Sequence, residues 1–169
     1  TPIESLRSLR QMPLRSLDLF KAAVADIGPL RGKKLEELHL SGTAIKSLRP
    51  LRGMPLQSIS LRATEVSDLS PLQGCPLEMV RLSGSSVTDI SPLTDSPVEA
   101  LWIAGLKLDD CSPLASMPLR RLVVTASQLN PAAKEILRSL DKHVSYTNLT
   151  LPTNREVYIS EFAVSLKKK

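Results

Sequence analysis

Aliphatic residues recur along this chain at a fixed spacing. From Met12 the sequence falls into six consecutive rows of 21 residues, with no gap between rows. One apolar column reads Leu14, Leu35, Leu56, Leu77, Val98 and Leu119. The next reads Leu17, Leu38, Ile59, Val80, Leu101 and Leu122, and two residues on come Leu19, Leu40, Leu61, Leu82, Ile103 and Val124. A fourth column holds Val24, Ile45, Val66, Val87, Leu108 and Leu129. Around the second and third columns apolar and polar positions alternate, which predicts a short strand with one buried face in every row. A single row cannot bury its own aliphatics. Stacked rows set each aliphatic against its copy in the next coil, and the columns merge into one core.

The backs of the coils are set by a proline column: Pro29, Pro50, Pro71, Pro92 and Pro113. Each removes an N–H and fixes φ, so the back is extended or a single tight turn rather than an α-helix. The sixth row departs from this. Asn130-Pro131 precedes AAKEILRSL, and Asn at the N-cap with Pro at the first helical position starts a helix. The expected organisation is therefore a partial N-terminal repeat over 1–11, six repeats over 12–137 and a C-terminal cap over 138–169. One α-helix is expected over Pro131–Leu140 and a strand over His143–Thr147. The remainder reads either as a hairpin cap, with a bulge near Glu161, or as a flexible tail. Ile3 aligns with Val24 and Leu6 with Ile27, so the natural protein is expected to continue upstream.

These columns resemble the leucine-rich repeat, whose consensus L-x-x-L-x-L-x-x-N/C-x-L they follow over Met12 to Leu129. The rows are most similar to the short bacterial repeats of the internalin type, through the connection Asp68-Leu69-Ser70-Pro71-Leu72 and its copy Asp89-Ile90-Ser91-Pro92-Leu93. Similar repeats are joined to Ser/Thr kinase domains in some bacterial proteins, but no kinase motif occurs in this sequence. The resemblance implies an α/β repeat solenoid with a parallel β-sheet on its concave face, and it implies a protein-binding module. One column departs from the family. Where the consensus has Asn, this chain has Ala22, Thr43, Thr64, Ser85, Leu106 and Ser127. A hydroxyl offers less than an Asn amide, and Ala22 and Leu106 offer nothing. The turn ladder is expected to be weaker, with water satisfying some of its groups.

Composition changes this picture little. The 169 residues are 42% hydrophobic and only 3% aromatic, which suits one domain with an aliphatic core. Net charge is +5, but Lys167, Lys168 and Lys169 carry much of it. No apolar run is long enough to span a bilayer, and no signal peptide is visible, so the compartment stays open. Cys111 falls in an aliphatic column and reads as a small hydrophobe. Cys75 falls in a different column, so no disulfide is expected between them. Asn148-Leu149-Thr150 matches a glycosylation sequon, without support from its surroundings.

Three columns point outward around the strands. They are Ser16, Glu37, Ser58, Met79, Ala100, Arg121; Asp18, His39, Ser60, Arg81, Trp102, Val123; and Phe20, Ser41, Arg62, Ser83, Ala104, Thr125. Asp18, His39 and Ser60 have the composition of a hydrolase triad. A regular sheet face supplies neither oxyanion hole nor cleft, so Asp18 and His39 are expected to form an exposed polar pair, and no enzyme activity is expected. Two His and two Cys at unrelated positions make no four-ligand metal site, and no Gly-rich phosphate loop occurs, so no cofactor is expected. Arg10, Arg31 and Arg52, with Arg7 and Arg49 nearby, form a basic stripe. No aromatics interleave with it, so neither a nucleic-acid partner nor membrane insertion is expected. Trp102 is the sole tryptophan and stands outward among Met79, Arg81, Arg62, Arg121 and Val123, the composition of a binding hot spot. Either this patch is the ligand site or the C-terminal segment covers it. The expected function is recognition of a protein ligand by a monomer. The alternative is a structural spacer within a longer repeat protein.

Overall fold

The computed structural model describes residues 6–125. The helix over Pro131–Leu140, the strand over His143–Thr147 and the cap over 138–169 lie outside the described residues. Within them, six three-residue strands form one open parallel sheet in chain order: β1 Ser16–Asp18, β2 Glu37–His39, β3 Ser58–Ser60, β4 Met79–Arg81, β5 Ala100–Trp102 and β6 Arg121–Val123. Every strand pairs with the equivalent residues of the next row: Asp18 with His39, Ser60 with Arg81, Arg81 with Trp102. This is the solenoid the columns predict.

The inward columns form a single continuous core. Leu38, Ile59, Val80 and Leu101 are wholly buried, as are Leu40, Leu61 and Leu82. Leu6 is buried in the same core, at the position equivalent to Ile27. In the first row, Leu14 and Leu17 are only partly buried; among the described residues β1 has a neighbouring strand on one side only. Cys75 and Cys111 are buried and free. Burial pushes both thiols above their ordinary pKa, with Asp110 adding to the effect at Cys111, so neither is a reactive thiolate.

The back of each coil is one 3-10 turn with Pro at its start: Gly28–Leu30, Arg49–Leu51, Ser70–Leu72, Ser91–Leu93 and Ser112–Ala115. An Asp two residues earlier starts most of them. The carboxylates of Asp68, Asp89 and Asp110 accept the N–H groups of Ser70, Ser91 and Ser112 at 2.8 Å. Asp26 holds Gly28 N–H at 2.7 Å. In the second row Ser47 takes that place, at a longer 3.4 Å. This Asx turn is the physical content of the D-x-S-P-L connection.

Two kinds of turn then close the coils. In the first three rows a glycine follows the 3-10 turn with positive φ: 76° at Gly32, 72° at Gly53 and 77° at Gly74. The residue before each is extended, with φ near −55° and ψ near 130°, which makes a type II turn. The fourth row has no glycine there. Thr94 is helical at φ −64° and ψ −31°, so Thr94-Asp95 closes the coil with a type I-like turn that any residue tolerates.

The column that replaces Asn works locally. Thr43 Oγ1 donates to Leu40 O at 2.6 Å, and Thr64 Oγ1 donates to Leu61 O at 2.8 Å. Both bonds stay within their own row. Ala22 and Leu106 instead pack with the core. The Ser85 hydroxyl is buried and has no hydrogen-bond partner among the described residues.

Candidate functional site

The outward columns divide the concave sheet into two unlike halves. On β1–β3 the polar groups pair with one another. Ser16 Oγ donates to Glu37 at 3.1 Å. Asp18 accepts the Phe20 N–H at 2.8 Å and faces His39 Nδ1 at 3.7 Å. The hydroxyls of Ser41 and Ser60 lie 2.7 Å apart. Both serines are buried, although their columns point outward, because short side chains lie below the tips of longer neighbours on the sheet. Ser60 is thus engaged with Ser41, and no His39–Ser60 hydrogen bond occurs among the described residues. Asp18 and His39 form an exposed polar pair, and the three residues do not make a triad.

On β4–β6 the outward residues are Met79, Arg81, Ala100, Trp102, Arg121 and Val123. The Arg81 guanidinium lies over the Trp102 ring, 4.6 Å from its centroid, as neighbours across β4 and β5. Both side chains are partly buried. The stack holds the guanidinium in a fixed plane. Burial first, and then the charges of Arg62 and Arg121, hold the Arg81 pKa below the ordinary arginine value. Arg62 and Arg121 are exposed, and Met79 is partly buried. Val123 is the exception within the expected patch. Its register places it beside Trp102, yet it is only 4% exposed and presents almost no surface.

A shallow hollow of about 390 Å³ opens on this face, lined by Glu37, His39, Ser58, Met79, Arg81 and Ala100, with Gln57, Glu78 and Glu99 at its rim. The rim was not among the expected site residues. Its signal lay in the sequence as another period-matched column, one residue ahead of each strand: Arg15, Glu36, Gln57, Glu78, Glu99, Arg120. Two ion pairs form within that column, Arg15 with Glu36, and Arg120 with Glu99 at 3.4 Å. Another aromatic, Phe20, is 61% accessible and carries the Lys21 ammonium 5.2 Å from its ring centroid. Four strand spacings separate it from Trp102, roughly 19 Å. Among the described residues no group of three or more His, Cys, Asp or Glu is placed to hold a metal ion, and no helix is long and apolar enough to cross a membrane.

Solved structures place this architecture. The chain is similar to an internalin of Listeria monocytogenes, with 28% identity and a TM-score of 0.67 over 73% of the chain. It spans only 38% of the length of that internalin structure. The chain is a leucine-rich repeat solenoid. Internalin C2 of the same organism matches in fold, with a TM-score of 0.52 and 21% identity, over 74% of this chain and 77% of the other. No family model and no curated protein sequence matches the chain. In this leucine-rich repeat solenoid the concave sheet is thus the face that carries the Arg81–Trp102 stack and the hollow beside it.

Proposed function

We propose that the chain is a non-catalytic recognition module that binds a segment of a partner protein on β4–β6, with the Arg81–Trp102 stack at the centre. The observation that carries this reading is the stack itself. A large ring and a planar cation are held together on an open strand face, beside the small side chains of Ala100 and Ala104, which leave room for a partner. Trp and Arg are the residues that most often dominate binding energy at protein interfaces. The module acts as a monomer, with no cofactor, and takes neither nucleic acid nor membrane as its partner. The similarity to internalin structures supports a repeat used as a binding surface. A spacer role fits β1–β3 better, where the polar side chains already satisfy one another.

The test is a selection from a random-peptide display library on the immobilised protein. Trp102→Ala, with an unchanged unfolding midpoint, should lose the selected peptides by tenfold or more. Peptides that bind wild type and variant equally would assign recognition to another face. Trp102 is the sole tryptophan, so its emission reports the site directly. Ready quenching by acrylamide is expected of an open indole.

A further inference from the structure

We infer that the group received by the Arg81–Trp102 stack is a carboxylate, presented by an acidic segment of the partner protein. This rests on the proposed binding face and specifies its chemistry. Stacking occupies the face of the guanidinium and leaves its edge free. That edge carries five N–H donors in one plane. Arg81 has no side-chain hydrogen bond and no ion pair among the described residues; its recorded contact is the Trp102 ring. Arg62 and Arg121, whose charges act on Arg81, also have no carboxylate partner there. Three other cations are paired within the chain: Arg15 with Glu36, Arg120 with Glu99, and Lys46 with Glu65 at 2.9 Å. On the strand face, three arginines without a carboxylate partner among the described residues therefore gather at the Trp102 ring.

A carboxylate meets such an edge in bidentate geometry, through two charge-assisted hydrogen bonds, and arginine already held in plane loses little freedom in making them. The rim decides the direction of approach. Glu78 stands at the start of β4, about 10 Å along the strand from the middle column, and repels an anion from that side. The acidic residue enters from the opposite side, where Arg62 follows β3. The same rim disfavours a nucleic acid. A polyanion would lay phosphates across Glu78, and one ring is no stacking platform for successive bases.

The display selection described above reads this directly, with the random-peptide library as the probe. Winners should be enriched in Asp and Glu. Replacing the acidic residue of a synthetic winner by its amide should weaken binding at least tenfold, and raising salt should weaken it too. Arg81→Gln should match that loss, Arg81→Lys should recover part of it, and Arg62→Gln should give a smaller loss. If Arg81→Gln unfolds, the exposed Arg62→Gln and the amide peptides still decide. Winners that need Trp102 but carry no carboxylate would overturn the acidic partner and leave the face in place. No winners, or winners indifferent to Trp102→Ala, would overturn both. Displacement of the winners by a single-stranded oligonucleotide of equal charge, at equal concentration, would overturn the choice of a protein carboxylate.

Discussion

On β1–β3 the outward side chains are committed to one another; on β4–β6 they are not. The first half holds Ser16 on Glu37, Asp18 near His39, and Ser41 on Ser60. The second half holds a cation on a ring and Arg121, which has no carboxylate partner among the described residues, with Arg62 just after β3 at its border. The backbone beneath is the same, with strands of equal length and identical register. What differs is set entirely by side chains that take no part in the core. A solenoid separates its two tasks in this way: inward columns hold the coils together, and outward columns can change row by row without disturbing them.

The largest effect should be indifferent to the two halves. Leu40→Ala and Leu82→Ala remove equally buried side chains from the same column, and each should cost about 2–5 kcal/mol. Urea midpoints with unchanged slope measure this. A loss under about 1 kcal/mol at either position, below the cavity range, would show that the columns are out of register. The halves should part at the next level. Trp102→Ala should leave stability nearly intact and weaken partner binding by ~2 kcal/mol or more. His39→Ala, at an exposed pair, should change stability by under ~1 kcal/mol and leave the selected peptides bound. Equal effects on binding would erase the division. Within the first half, Ser60→Ala strands the buried Ser41 hydroxyl and should cost roughly 1–3 kcal/mol. The double variant Ser41→Ala/Ser60→Ala should recover part of that loss, which a thermodynamic cycle reads directly.

The smallest effect concerns the backs of the coils. Hydrogen bonds from Ser70, side chain first and then backbone, lower the Asp68 pKa below its ordinary 3.8. A carboxylate with a depressed folded-state pKa contributes stability above its unfolded value and loses it as pH falls through the folded one. Asp68→Asn should therefore reduce the stability lost on acidification below about pH 4, while acting weakly at neutral pH on this exposed turn. Identical acid limbs for variant and wild type would remove Asp68 from the account.

Much of this was legible because the period carries it. The columns through Leu38 and Leu40 gave the strands and their register, and Pro50 and Pro71 gave the tight backs. Trp102 and Arg81 could be placed side by side by counting 21 residues. Exposure was less legible. A column fixes the direction of a side chain but not the height of its neighbours, so Ser60 points outward and is nonetheless buried; Val123, in the same column, is buried too. Local hydrogen bonding was equally hidden. Thr43 and Thr64 satisfy carbonyls three residues back in their own rows, whereas Ser85, with a similar hydroxyl, has no partner among the described residues. The acidic rim escaped because Glu78 and Glu99 lie outside the alternation that marks a strand.

The repeat spacing has a consequence for the history of such a chain. Because each strand finds its partner one row away, duplicating or deleting the gene segment for a whole row would give every new neighbour the contacts of the old. A shift of any other length would turn the leucines of all later rows away from those before them. Lineages of this molecule are thus free to lengthen or shorten their gripping surface in whole steps, and each new row arrives already folded into place, with only its outward residues left to be selected.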